Sequence, residues 1–272
     1  MALPPPSDVG TCIVTGASSG IGAEIARDLA RRGRGVTLVA RRGDEMRALA
    51  ADLVAAHGVR AEVVEADLAD PDSRAALPGT LAGLGLTVDV LVNNAGLSTS
   101  GPVHRADLEA ELRMVRVDVE AVVDLSTRFL PGLVERGAGG VLNVASVAAF
   151  QPLPGQAGYG GAKAFVLAYS QATAAELRGT GVAVTALCPG PVKTGFGEAA
   201  GLSEAESSGA LPSFMWVPAT DVARAGVEGL VRGRTVVIPG AANVVGAYAG
   251  RVTPKTVLLP LLARQHPALR RP

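Results

Sequence analysis

Tyrosine is scarce in this chain, with only Tyr159, Tyr169 and Tyr248 in 272 residues, so each position asks for a reason. Neither sign of charge is in excess: Lys+Arg and Asp+Glu both number 25. That balance offers no electrostatic footprint for nucleic acid. Hydrophobic residues reach 48%, yet no uninterrupted apolar run attains the roughly 18 residues of a membrane-spanning helix. The opening "MALPPPSDVG" lacks the basic stretch and apolar core of a secretory signal. Residues 1–9 read instead as a short flexible leader. Cysteine occurs twice, as Cys12 and Cys188 in separate apolar runs. Buried free thiols are expected, which fits a reducing, cytoplasmic compartment. His57, His104 and His266 are scattered without metal-ligand spacing, so no metal site is expected.

What the chain does contain is a rhythm. Short β-rich runs ("TCIVTG", "GVTLVA", "RAEVVEAD", "VDVLVNNAG", "GVLNVAS", "VAVTALCPG", "TVVIPG") alternate with longer helical runs. This order predicts an α/β fold, a doubly wound parallel sheet with helices on both faces. Asp70 and Pro71 are placed as N-cap and first residue of a helix, and a long helix is expected over 107–136. No repeat or interdomain linker interrupts residues 10–240, which read as one domain. A loop at about 195–217 breaks the rhythm and ends in "LPSFMWVP". Loops of that length in compact domains are often functional lids.

"TGASSGIG" follows the first strand and opens the first helix. A helix N-terminus presents free N–H groups and a positive dipole end, which suit a pyrophosphate. Gly16 permits the tight turn, Gly20 a close approach of backbone to ligand, and Gly22 close packing of helix on sheet. Lys163 lies four residues beyond Tyr159, on the same helix face. A free phenol has a pKa of about 10, and a nearby ammonium favours its ionised form. Tyr159 is therefore a credible general acid or base. The glycines and alanines around it are expected to leave room for ligands.

With these motifs in hand, the sequence resembles the short-chain dehydrogenase/reductase family. "TGASSGIG" is similar to its cofactor loop and "NNAG" (Asn93 to Gly96) to its sheet-stabilising motif. Ser146, Tyr159 and Lys163 are similar to its catalytic residues, and "PGPVKT" (Pro189 to Thr194) to its nicotinamide-side loop. The resemblance implies a Rossmann-type fold and a nicotinamide cofactor. It implies cofactor contacts from Gly16, Ser18, Ser19, Gly20, Ile21, Gly22, Asp67, Leu68, Asn94, Ala95, Gly96, Tyr159, Lys163, Pro189, Gly190, Val192 and Thr194. Ser146 would hydrogen-bond the substrate oxygen, and Lys163 would also hold the cofactor ribose. A homodimer or homotetramer through the long helices is implied as well.

Arg41, Asp67, Asn93, Ser146 and Pro189 all fall at the ends of expected strands. Ligands of doubly wound sheets sit at that rim. Ala40 stands where relatives that prefer NAD tend to carry Asp, and Arg41 and Arg42 follow. A guanidinium forks onto a 2′-phosphate that a carboxylate would repel, so NADP(H) is the expected cofactor.

One position departs from the family pattern. Asp118 stands where an asparagine would anchor a water on the proton path to the lysine. Ionised Asp only accepts hydrogen bonds, whereas Asn donates and accepts. Asp118 holds the water in protonated form, or the relay is rebuilt, or the reaction differs. On the substrate side, Phe150, Leu153, Gln156, Leu202, Leu211, Phe214, Met215 and Trp216 are expected to line the pocket of a medium-sized hydrophobic carbonyl substrate. Residues 241–272 are assigned to packing or an oligomer contact, with a membrane surface as the lesser alternative. The leading expectation is an NADPH-dependent reductase. An atypical family member acting on an imine, as an epimerase or as a tailoring enzyme is the second, and a non-catalytic NADP-binding sensor or scaffold the third.

Overall fold

The computed structural model describes residues 3–194, 213–265 and 267–269. Most of the expected substrate loop, with Leu202 and Leu211, lies outside the described residues. Strands β1 (Gly10–Thr15), β2 (Val36–Ala40), β3 (Ala61–Glu65), β4 (Thr87–Asn93), β5 (Gly139–Val144), β6 (Val182–Leu187) and β7 (Val236–Val237) form one sheet. Its order is β3-β2-β1-β4-β5-β6-β7, and every neighbouring pair is parallel. This is the doubly wound Rossmann-type sheet expected from the alternation. β1, β5 and β6 are buried along their whole lengths, which is why they read as continuous apolar runs rather than alternating ones.

Helices α1 (Gly20–Arg31), α2 (Gly43–His57) and α7 (Ala219–Val231) cover one face. Ile25, Leu29, Met46, Leu53, Val227 and Leu230 pack there into one core. On the other face Leu77 and Leu81 of α3 (Pro71–Gly83) meet Leu125, Phe129 and Leu133 of α5 (Ala121–Arg136). Asp70 caps α3 as expected, its side chain accepting from the backbone N–H groups of Asp72 and Ser73. The expected long helix is a rod of three pieces: α4 (Leu108–Val115), a π-helical turn at Arg116–Glu120, and α5. Helix α6 (Ala157–Glu176) packs beside it.

One expectation changes. Residues 1–9 were assigned to a flexible leader, but Leu3 is buried in the first core, and Pro4 O accepts from Arg34 at 2.7 Å. The final segment forms two helices, α8 (Ala241–Val252) and α9 (Lys255–Gln265), with Pro254 between them.

Candidate functional site

Chain reversal between β1 and β4 opens a crevice at the carboxyl rim of the sheet, and the candidate residues gather there. Gly16 has φ +65° and Gly20 φ +58°, a region that only glycine enters without strain. Gly22 meets the third demand: a Cβ on it would lie 2.4 Å from Gly16 O and 2.4 Å from Asn94 Nδ2. Asn94 Nδ2 donates to Thr15 O at 2.8 Å, and the Thr15 hydroxyl accepts from the N–H groups of Asn94 and Ala95 at 2.9 and 3.0 Å. "NNAG" is thus tied to the start of the glycine loop through Thr15, a residue the motif reading missed. Asn93 Nδ2 donates to Asn143 Oδ1 at 2.8 Å and to Ser126 Oγ at 3.2 Å, and Asn143 Nδ2 donates to Ser170 Oγ at 2.9 Å. This buried polar chain joins β4, β5, α5 and α6 beneath the site.

Arg42 crosses from the end of β2 to the glycine loop, where its Nη2 donates to Ser18 Oγ at 2.9 Å and Ser19 Oγ at 2.8 Å. A cleft of about 540 Å³ opens beside it, lined by Ser18, Ser19, Gly20, Arg27, Lys193 and Thr194 among others. Its lining does not reach Ser146, Tyr159 or Lys163. A half-exposed guanidinium set over two hydroxyls and a helix N-terminus suits a phosphate. Arg41 is exposed and lies near enough to Asp67 to lower its carboxyl. Asp67 is already engaged, because its Oδ2 accepts from Arg113 Nη2 at 2.6 Å. Burial raises the Asp67 carboxyl, but the Arg113 and Ala69 hydrogen bonds take it below its ordinary value. Leu68 points elsewhere: its side chain is buried in the second core.

Ser146 ends the approach from β5, half-buried, and its Oγ accepts from Ala148 N–H at 3.1 Å. Tyr159 and Lys163 project from the first turns of α6, with Lys163 Nζ 5.7 Å from the centre of the Tyr159 ring. Ser146 lies close enough to Tyr159 to help lower its phenol. Lys163 is 4% exposed and Asp118 fully buried. Asp118 Oδ2 lies 3.0 Å from Lys163 Nζ, without the alignment of a hydrogen bond. Its Oδ1 accepts from Leu97 N–H at 2.7 Å, and Lys163 Nζ donates to Val144 O at 3.1 Å. Asp118 thus meets Lys163 directly. The π turn carries Asp118 to this position; such turns recur at functional sites. A side chain on Gly96 would crowd the pair, since its Cβ would sit 3.2 Å from both Asp118 Oδ2 and Lys163 Nζ.

Burial pushes the Asp118 carboxyl up, and Lys163 and the Leu97 N–H offset only part of this. Burial alone would lower the Lys163 ammonium, but Asp118 and Tyr159 hold it above its ordinary value. For Tyr159, burial again is the largest effect and raises the phenol, while Lys163 and Ser146 pull it down and Asp118 pushes it further up. The expected influence of the ammonium is present but outweighed. The protein's own groups keep the proton on Tyr159. Cys188, near enough to Lys163 to feel its charge, has its thiol pushed up to about 12 by burial.

The small residues around Tyr159 serve packing more than ligand space. A Cβ on Gly158 would fall 2.3 Å from Glu111 Oε2 and 2.5 Å from Met114 Cε, and one on Gly160 would meet Leu153 Cβ at 3.1 Å. Gly161 alone faces open space. On the expected substrate side, Gln156 Nε2 donates to Ser98 Oγ at 2.8 Å, and Leu153 and Trp216 are half-buried. Phe150 is 7% exposed and packs in a core cluster with Val166 and Leu167, so it backs the pocket rather than lining it openly. Phe214 is 73% exposed. Pro189 O accepts from Val147 N–H at 2.9 Å, and Pro191 O from Val217 N–H at 3.1 Å, which fixes the loop holding Gly190 and Val192. Asn243 of α8 braces it too, lying against Gly190 and donating to Met215 O and Pro239 O, each at 3.0 Å. No spacing in the sequence signals Asn243.

The family model for short chain dehydrogenases matches residues 10–205. The chain belongs to this family, the short-chain dehydrogenases/reductases. A short chain dehydrogenase of Pseudocercospora fijiensis is 37% identical over 190 residues, 69% of this chain and 61% of that protein. The very-long-chain 3-oxoacyl-CoA reductase of Anas platyrhynchos is 34% identical over 187 residues, 67% of this chain and 59% of that protein. The matched part thus spans about three fifths of these curated relatives. Among solved structures, a short-chain dehydrogenase from Sphingobium yanoikuyae in complex with NADPH is 33% identical, with a TM-score of 0.78 over 92% of this chain and 95% of that one.

Proposed function

We propose that this chain is an NADP(H)-dependent reductase, or the reverse dehydrogenase, acting on the carbonyl of a medium-sized hydrophobic substrate. The observation that carries the reading is the meeting of Ser146, Tyr159 and Lys163 at the same rim where Arg42 overhangs the glycine loop. The bound nicotinamide supplies the hydride. Tyr159 gives its proton to the carbonyl oxygen in reduction and takes it back in oxidation. Ser146 hydrogen-bonds that oxygen, and Lys163 holds positive charge beside the phenol and grips the ribose. Arg42, with Arg41, binds the 2′-phosphate; Ser18, Ser19 and Gly20 receive the pyrophosphate. The NADPH complex of the Sphingobium relative and the oxoacyl reductase of Anas platyrhynchos support this choice of cofactor and reaction.

In this reading residues 10–240 are the catalytic domain. The exposed Leu108, Leu112 and Val115 of α4 support a homodimer or homotetramer through the α4–α5 rod. Two free buried cysteines support a cytoplasmic setting. The test is NADPH oxidation across a panel of ketones and aldehydes, with Tyr159→Phe as control. Binding of NADPH without turnover on the panel, and a partner interaction indifferent to Tyr159→Phe, would favour a sensor or scaffold. A second enzymatic reading rests on the Asp118–Lys163 contact, which changes the proton path: reduction of an imine, epimerisation or a tailoring step. Gain of ordinary ketone reduction by Asp118→Asn would support it.

A further inference from the structure

We infer that the outer face of α8 and the adjoining part of α9 docks on an anionic lipid surface. Helix α8 buries Asn243, Ala247 and Gly250, and this spacing marks its inner side. A helix exposed on its other side normally carries polar residues there. Here that side is apolar: Val245 is 69%, Tyr248 50% and Val252 78% exposed. Beyond Pro254, α9 adds Val257 and Leu261, 63% and 52% exposed.

Charge distinguishes the possible occupants. No aspartate or glutamate follows Glu228 in the sequence, whereas Arg251, Lys255, Arg264, Arg270 and Arg271 all lie in the final segment. The chain as a whole is neutral, so the rest of it carries the opposing negative excess. A second copy meeting this face across a two-fold axis would set cation against cation, with no carboxylate of that segment to pair them. An anionic bilayer complements both features: apolar side chains enter the headgroup boundary while cations meet phosphates. The face also adjoins the candidate site. The Tyr248 ring meets Phe150 edge-on at 5.9 Å between centroids, and Gly250 abuts Gln151. Docking would therefore bring the turn that follows Ser146 toward the bilayer. The proposal concerns attachment and holds whichever reaction the site performs.

The experiment is co-sedimentation of the full chain with vesicles of phosphatidylcholine alone, and with vesicles of equal parts phosphatidylcholine and phosphatidylglycerol, at low and high salt. Binding to the anionic vesicles, reduced by salt, is the expected result. Arg251→Gln should weaken partitioning by about fivefold, and Val252→Asp should weaken it further, with unchanged melting temperatures. Equal binding to both vesicle types, no binding to either, or binding untouched by both variants would overturn the proposal. So would a sedimentation-velocity oligomer that Val252→Asp dissociates while vesicles capture nothing; the face would then belong to a second copy.

Discussion

Asp118 and Lys163 are opposite charges 3.0 Å apart in a place that water scarcely reaches. Separating such a pair costs more than making it gains, because the remaining charge stays buried. Asp118→Asn should lower stability by about 3 kcal/mol, measured by denaturant unfolding. Its kinetic effect has a definite sign. Asp118 helps hold the Lys163 ammonium above its ordinary value, so the variant should move the alkaline limb of kcat/KM to lower pH. Tyr159→Phe keeps the ring and removes the proton; turnover should fall by about 10²–10⁴ with the melting temperature preserved. Arg42→Ala should raise KM for NADPH by about tenfold or more, since hydrogen bonds to charged groups contribute ~1.5–3 kcal/mol, and leave the KM for NADH nearly unmoved. The Tyr159–Lys163 pair was legible as residue types at a fixed spacing, Arg41 and Arg42 as cations after β2, and Ser146 through the family resemblance. Their electrostatic balance was not. Burial, which depends on every surrounding element, outweighs the lysine at Tyr159, and no pairwise spacing reveals that.

Elements repeat the lesson on a larger length. Periodicity predicts the α4–α5 rod, but the extra residue of its π turn, which carries Asp118, leaves no mark on the apolar pattern. The Asp70–Pro71 start of α3 was readable because capping is local chemistry. Arg74 was not: it is 4% exposed and links α3 to α5 through Asp124 Oδ2 at 2.9 Å. Burial raises the Asp124 carboxyl, yet Arg128 and Arg74 hold it below its ordinary 3.8. A lowered carboxylate contributes stability above its unfolded pKa and loses it as pH falls through the folded one. Asp124→Asn should therefore be less stable than the parent at neutral pH, and the gap should narrow under acid below about pH 4. Urea unfolding across that range reads it. Gly22 of α1 makes a similar demand. Gly22→Ala would drive a Cβ into Gly16 O and Asn94 Nδ2 and should cost about 1–3 kcal/mol.

At the scale of the whole molecule, strand order turns separated motifs into one rim. The alternation of runs conveyed the layers, and strand ends located Arg41, Asp67, Asn93, Ser146 and Pro189 together. It did not convey the polar chain from Asn93 to Ser170, because a buried asparagine looks like any other until its neighbours are known. If the glycine loop and Arg42 bind NADPH, ligand at about 100 times its Kd should stabilise the fold by ~2.7 kcal/mol. A rise in melting temperature, diminished by Arg42→Ala, is the expected outcome. The position of β1 has a consequence during synthesis. It lies between β2 and β4, so one of its edges stays open until residues 87–93 have left the ribosome. At about 5–20 residues per second that interval is on the order of ten seconds. The nascent half-sheet exposes its most buried strand throughout, and this is when a chaperone has most to protect.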